Sequence, residues 1–263
     1  IPVVLAANFM IGGSRIAEAF KLEGMGPVMA YGFFGQLFWM FGGLALLIFI
    51  GKSNHVRNLA PGMAGSLSHS GLTGACTAGD LGSEAAARAP IMINVPFFGH
   101  IFVFTILAMS VQRGQLMLIP SLIVAIIGIV ITAWSLKTLK NAQGKESEEV
   151  KGLMQFSFGW QITAVFGGFV MLHLSGMDIF NAGMAKSSAI SHFGLFAATQ
   201  GGMFGAQSAS LIPFIFAMPF LVHPLVFGIF GAAMEKEGEM PKNIVLGLAI
   251  VGVAGVLYSL MFA

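Results

Sequence analysis

Charge is what this sequence has least of. Only 9% of its 263 residues are Asp, Glu, Lys or Arg, while 56% are hydrophobic and the mean hydropathy is +0.86. Soluble domains carry roughly 25% charged residues, so the shortage excludes an ordinary soluble domain. Cysteine is nearly missing as well: the lone Cys76 leaves no internal disulfide and no CxxC metal or redox pair. The net charge of +2 is spread over connecting segments, so there is no basic patch for nucleic acid. Period-two alternation is also lacking, which excludes an outer-membrane barrel built from strands of about 10 residues.

What the chain has instead is long apolar runs. Residues 28–50, 91–111, 116–136, 155–175, 209–233 and 243–263 are each close to the ~20 residues that carry a helix across ~30 Å of hydrocarbon. They are apolar on every face, as helices in contact with lipid must be. Residues 1–20, with Arg15 and Glu18 near one end, read as one more such helix. The expectation is an all-α polytopic protein embedded in a lipid bilayer, in the cytoplasmic (inner) membrane of a prokaryote.

The chain also contains itself twice, which decides architecture before any single motif does. Pro96, Phe97, His100, Val103 and Phe104 recur as Pro219, Phe220, His223, Val226 and Phe227, each shifted by 123 positions. The same shift carries Ser68, His69, Gly71 and Leu72 onto Ser191, His192, Gly194 and Leu195. A near-equal one carries Phe33, Gln36, Phe41, Gly42 and Gly43 onto Phe158, Gln161, Phe166, Gly167 and Gly168, and Pro120, Ile123 and Val124 recur as Pro241, Ile244 and Val245. The reading is an extra N-terminal helix (1–27), a first membrane repeat (28–140), a charged cytoplasmic linker (141–152) and a second repeat (153–263).

Two segments resist assignment as spans, 63–80 and its copy 186–205, which are rich in Ser and Gly and only weakly apolar. Lys and Arg concentrate in cytoplasmic loops, so the two possibilities can be compared by charge. If both segments cross, giving nine spans, the twelve basic residues beyond the first helix divide six and six. If both are re-entrant or broken, giving seven spans, Lys21, Arg113 and Lys186 stand against nine others. The seven-span arrangement is preferred, with the linker inside. A repeat of three crossings then lies upside down relative to its copy, and such inverted repeats with broken helices in matching places point to a binding site at mid-membrane.

Each half supplies the same set of polar residues at depth. His100 and His223 fall within apolar helices, near Pro96 and Pro219, which each free a carbonyl one turn back. His69 and His192 sit beside Ser68 and Ser191 among small residues. The tips are expected to present Ser68, His69, Thr73 and Thr77 opposite Ser191, His192, Thr199 and Gln200. Gln36 and Gln161 are expected to hydrogen-bond between repeats or to line a pore. Ionisable groups at this depth are costly and usually mark a pathway, though a histidine gluing two helices is the plainer alternative. Asp80, Glu84 and Arg88, four apart, read as a solvated ladder on one helix face, and Asp178 as a helix cap.

Three classes of function remain. A transporter or channel for a small solute or ion would run its path between the repeats, lined by His100, His223, His69, His192, Gln36, Gln161, Ser68 and Ser191. In outline the plan resembles duplicated channels of about 250 residues in which two half-helices meet in the membrane, although the NPA pair of those channels is missing. A redox subunit would use paired histidines to ligate haem b, or all four on one metal ion. A non-catalytic subunit of an oligomer or larger membrane complex is the third. A hydrolase is disfavoured, because the adjacent Ser68–His69 and Ser191–His192 pairs point about 100° apart on a helix and form no dyad.

Overall fold

The computed structural model describes Lys21, Leu22 and residues 24–263; the helix expected over residues 1–20 lies outside the described residues. Of the described residues 81% are helical, and none is in a strand. The elements run α1 (Gly26–Ala45, extended by a π-turn Leu46–Ile50), α2 (Val56–Leu67), α3 (Ser70–Thr77), α4 (Ser83–Gln112), α5 (Leu118–Asn141), α6 (Glu146–Ile162), α7 (Gly168–Leu174), α8 (Ile179–Ala189), α9 (Phe193–Gln200), α10 (Gly205–Ile215), α11 (Ala217–Met234) and α12 (Lys242–Met261). A π-turn, Thr163–Gly167, joins α6 to α7 without a break in direction.

Six of the described rods are long and apolar enough to cross a membrane: Gly26–Ile50, Ser83–Gln112, Leu118–Asn141, Glu146–Leu174, Gly205–Met234 and Lys242–Met261. Each matches one of the apolar runs of the sequence, which overhang their helices by two residues at most. Their outer faces carry exposed Phe97, Phe98, Ile101, Ile119, Ile129, Val130, Ile250 and Leu257, an apolar belt far larger than a water-facing protein tolerates. Glycine sets the closest approaches. A side chain at Gly252 or Gly255 of α12 would collide with Phe38 or Phe34 of α1, and one at Gly128 of α5 with Thr163. Small residues at such crossings let backbones touch, which drives association where lipid offers no hydrophobic gain.

The two weakly apolar segments form hairpins of short helices, α2–α3 and α8–α9. Twelve residues of α2 rise about 18 Å, and eight of α3 about 12 Å, at ~1.5 Å per residue, so neither helix reaches across by itself. The chain turns at Ser68 (φ 49°) and Ser191 (φ 47°), both in the left-handed region that L-residues enter only at a cost. Helices restart at once, because His69 and His192 act as N-caps: Nδ1 of each accepts a backbone N–H, from Leu72 and Leu195 respectively, at 3.2 Å.

Polar contacts at the two ends of the molecule show where each hairpin leads. At one end Arg57, opening α2, pairs with Glu84, opening α4, at 3.2 Å. Arg88 of α4 donates to Asn58 of α2 and to Glu146 of α6, and the Val56 N–H donates to the Gly238 carbonyl. The first hairpin therefore leaves from the end at which it entered. At the opposite end Ser208 of α10 donates to the Phe180 carbonyl of α8, so the second hairpin does the same from the other side. Glu84 and Arg88 are thus not a solvated ladder on one face: both reach across to other helices, and Arg88 is buried. Asp178 caps α8, accepting from the Phe180 and Asn181 N–H groups.

Candidate functional site

The tips of the two hairpins meet halfway between the ends. His69 and His192 face each other as an isolated antiparallel bridge, and the Phe193 N–H donates to the Ser68 carbonyl at 3.4 Å. Gly71 and Gly194, two residues past each histidine, leave room for Phe227 and Phe104 from the opposite halves. Around this junction the eight residues singled out by the duplication divide into two clusters.

The first holds His69, Gln36, His223 and Ser191. Nε2 of His69 lies 3.1 Å from the Gln36 amide, the His69 and His223 rings pack at 5.0 Å, and Ser191 Oγ lies 3.4 Å from His223 Nε2. The second holds His192, Gln161, His100 and Ser68. Nε2 of His192 is 3.1 Å from the Gln161 amide and 3.2 Å from Nε2 of His100, and the Gln161 amide reaches Ser68 Oγ at 3.2 Å. Each cluster takes two residues from each half. His69, His192, Gln36 and Gln161 are fully buried, and His100 is partly exposed beside Phe97 and Phe104.

Hydrogen-bond logic fixes the protons. Because Nδ1 of His69 accepts a backbone N–H, the neutral ring carries its proton on Nε2, and the hydrogen-bond network assigns Oε1 of the Gln36 amide as the acceptor facing it. The opposite amide orientation would set two N–H groups together and leave Oε1 without a partner. His192 is fixed in the same way and points its Nε2–H at Gln161 and His100. Nε2 of His100 must then be an acceptor, so one proton lies between the two rings. Such a chain can pass a proton or hold a polar solute by donors and acceptors in turn.

Comparison with known proteins adds no relative: no protein family, curated protein or solved structure matches the chain.

The cofactor expectations can be tested against this geometry. Four histidines do not converge on one point; they form two pairs, and among the described residues no three His, Cys, Asp or Glu side chains could hold a metal ion together. Nδ1 of His69 and His192 is already spent on helix capping. A transition metal would find two imidazole nitrogens and an amide where it wants about four donors, so the residues present do not fit one. A haem needs a flat slot between its two imidazoles, yet the paired rings pack directly at 4.9 and 5.0 Å.

Other expected lining residues are placed differently. Thr73 is half-buried, while Thr77 and Gln200 are exposed on the outer faces of α3 and α9. Thr199 is buried against Ser187 at 3.0 Å. Gln36 bonds within its own half, and only Gln161 bridges to the other. Lys186, counted above as a loop cation, is fully buried in α8 with its Nζ 4.0 Å from the centre of the Trp39 ring. The sequence did hold a signal for this: the 123-residue shift places Lys186 on Met63, an apolar position inside α2.

The two ends differ. Near Met25, Asp178, Phe180, Asn181, Phe204 and Gln207 a pocket of about 350 Å³ opens between α1, α8 and α10. The matching place at the other end, by the same shift, holds a pocket of about 250 Å³ at His55, Arg57 and Asn58 and one of about 120 Å³ at Arg57 and Glu84, and it is spanned by the Arg57–Glu84 and Arg88–Glu146 pairs.

Proposed function

We propose that this chain is a transporter or channel for a small solute or ion, with its path at the interface of two inverted membrane repeats. In this reading the six described spans and a further helix expected from the sequence of residues 1–20 make seven crossings, and the hairpins are re-entrant, one from each side. The observation that carries the proposal is the composition of the two clusters. Each joins Gln and His of one half to Ser and His of the other at mid-depth, where polar groups are costly unless they serve a pathway. Broken helices in matching positions are the feature that places binding sites in inverted-repeat transporters.

At one end the Arg57–Glu84 and Arg88–Glu146 pairs tie helices together, which favours gated access over a permanently open pore, as expected for a carrier that exposes its site to one side at a time. Nine basic residues (Lys52, Arg57, Arg88, Lys137, Lys140, Lys145, Lys151, Lys236 and Lys242) gather at the tied end. In this reading that end faces the cytoplasm, in line with the positive-inside bias, and the membrane is the inner membrane of a prokaryote.

Flux into proteoliposomes tests the proposal. His100→Ala and His223→Ala are each expected to abolish uptake while the extracted protein keeps its thermal transition. Undiminished flux in both folded variants would overturn the path described here.

A further inference from the structure

The two clusters are made of neutral groups, but the amine of a buried lysine lies near them. Among the described residues every Asp and Glu falls at a helix end or in a connecting turn. Between the ends, Lys186 is the only residue of the Asp, Glu, Lys or Arg type that is fully buried. Its Nζ has no hydrogen-bond acceptor among the described residues. It lies over the Trp39 ring at 4.0 Å and 5.9 Å from the Tyr31 ring, and the bare Gly168 makes space for it.

In the first half, the corresponding glycine, Gly43, makes space for Met63 instead. Packing at this position is therefore satisfied by an apolar side chain, and the ammonium is an addition that packing does not require. An aromatic face attracts a cation only modestly, which offsets little of the cost of burying a charge without a counter-ion. The surroundings share its sign. Helices α3 and α9 both begin at the junction of the tips, so the positive ends of two helix dipoles point there, and the N–H groups of His69 and His192 lie beside them.

The 350 Å³ pocket between α1, α8 and α10 is lined by Met184 of α8 and by Phe204; two residues apart on one helix, Met184 and Lys186 face different ways. The one carboxylate lining that pocket, Asp178, is occupied with the N-terminus of α8 and with the Asn181 side chain.

We infer that Lys186 is the counter-charge for a small monovalent anion, and that an anion of this kind is the solute of the path. The second part rests on the transport reading above; the first does not. The test uses the full chain with Trp134→Phe, which silences an exposed tryptophan, and follows tryptophan emission during titration with sodium chloride and then sodium formate against sodium gluconate at constant ionic strength. Trp39 touches the ammonium, so a saturable change is expected with chloride or formate. Lys186→Met, which copies the first half, should lose it and should lower uptake of the same anion into proteoliposomes at least tenfold.

No saturable change in the folded parent protein would overturn the anion site, whether or not the variant folds, and so would a Lys186→Met protein that titrates like its parent. Saturable binding that depends on Lys186, in a protein that moves neither anion, would uphold the site and sink the transport reading alone.

Discussion

Nε2 of His100 and Nε2 of His192 stand 3.2 Å apart, one on each half of the chain. The two rings do unequal structural work. His192 also caps α9 through Nδ1, whereas His100 adds only ring contacts with Phe97 and Phe104. Replacing His192 by alanine should cost about 1–3 kcal/mol, from a lost cap and a buried amide left without its donor. His100→Ala should cost clearly less. Thermal unfolding in detergent gives the ranking, and the reverse order would refute the assignment of the cap.

Gly168 and Lys186 compete for one space. A methyl group at Gly168 would come within 2.6 Å of the Lys186 side chain, so Gly168→Ala should destabilise by about 1–3 kcal/mol through overpacking. Combined with Lys186→Ala it should cost much less than the sum of the two single changes. A double-mutant cycle that came out additive would show that the two do not touch.

Arg88 and Glu146 form an ion pair with unequal partners, since the arginine side chain is 7% exposed and the glutamate 80%. Glu146→Gln should therefore change stability by less than about 1 kcal/mol. Arg88→Ala also strands the buried Asn58 carbonyl and should cost about 1–3 kcal/mol more. Equal losses from both, read from the melting curves, would mean that the exposed pair rather than the buried hydrogen bond holds this end closed.

Gly252 and Gly247 lie on the same helix in different surroundings. A Cβ at Gly252 would stand 2.4 Å from the Phe38 backbone nitrogen, while nothing lies within 4 Å of one at Gly247. Gly252→Ala should lower the unfolding temperature by several degrees, and Gly247→Ala should leave it within a degree or so of its starting value. Similar shifts for both would argue against the close α1–α12 crossing.

Sidedness follows from the hairpins. In a Cys76→Ser background, cysteines placed at Lys52, Lys140 and Lys236 should all react with a membrane-impermeant maleimide from one side, and one at Arg113 from the other. Labelling of Lys52 and Lys140 from opposite sides would exclude a re-entrant first hairpin.

Most of the rods were legible in the sequence because membrane spanning is written in length and hydropathy. Apolar runs such as 91–111 fall within the helices, and charged turns such as Glu146–Glu149 extend some helices into the polar boundary. The paired histidines were legible through the 123-residue shift. What escaped was whatever depends on partners far apart in the chain. The spacing of Glu84 and Arg88 suits a helical ladder, yet their partners Arg57, Asn58 and Glu146 sit on other helices. Lys186 looked like a loop cation because α8 is short and its neighbours are small. Nothing local to Ser68 or Ser191 announces a left-handed turn, which serine adopts here because the histidine that follows restarts the helix.

The mixed membership of the two clusters bears on how such a chain could arise. If the halves are inverted copies, one half alone supplies Gln36, His69, Ser68 and His100 but completes neither cluster, since Ser191, His223, Gln161 and His192 all come from the other. A single-repeat ancestor would have needed a second molecule of itself, inserted in the opposite direction, before it could function. Fusion through the exposed turn at 141–145 would then have made that pairing permanent, and once the unit existed in two copies, one could keep a methionine at position 63 while the other acquired a lysine at 186.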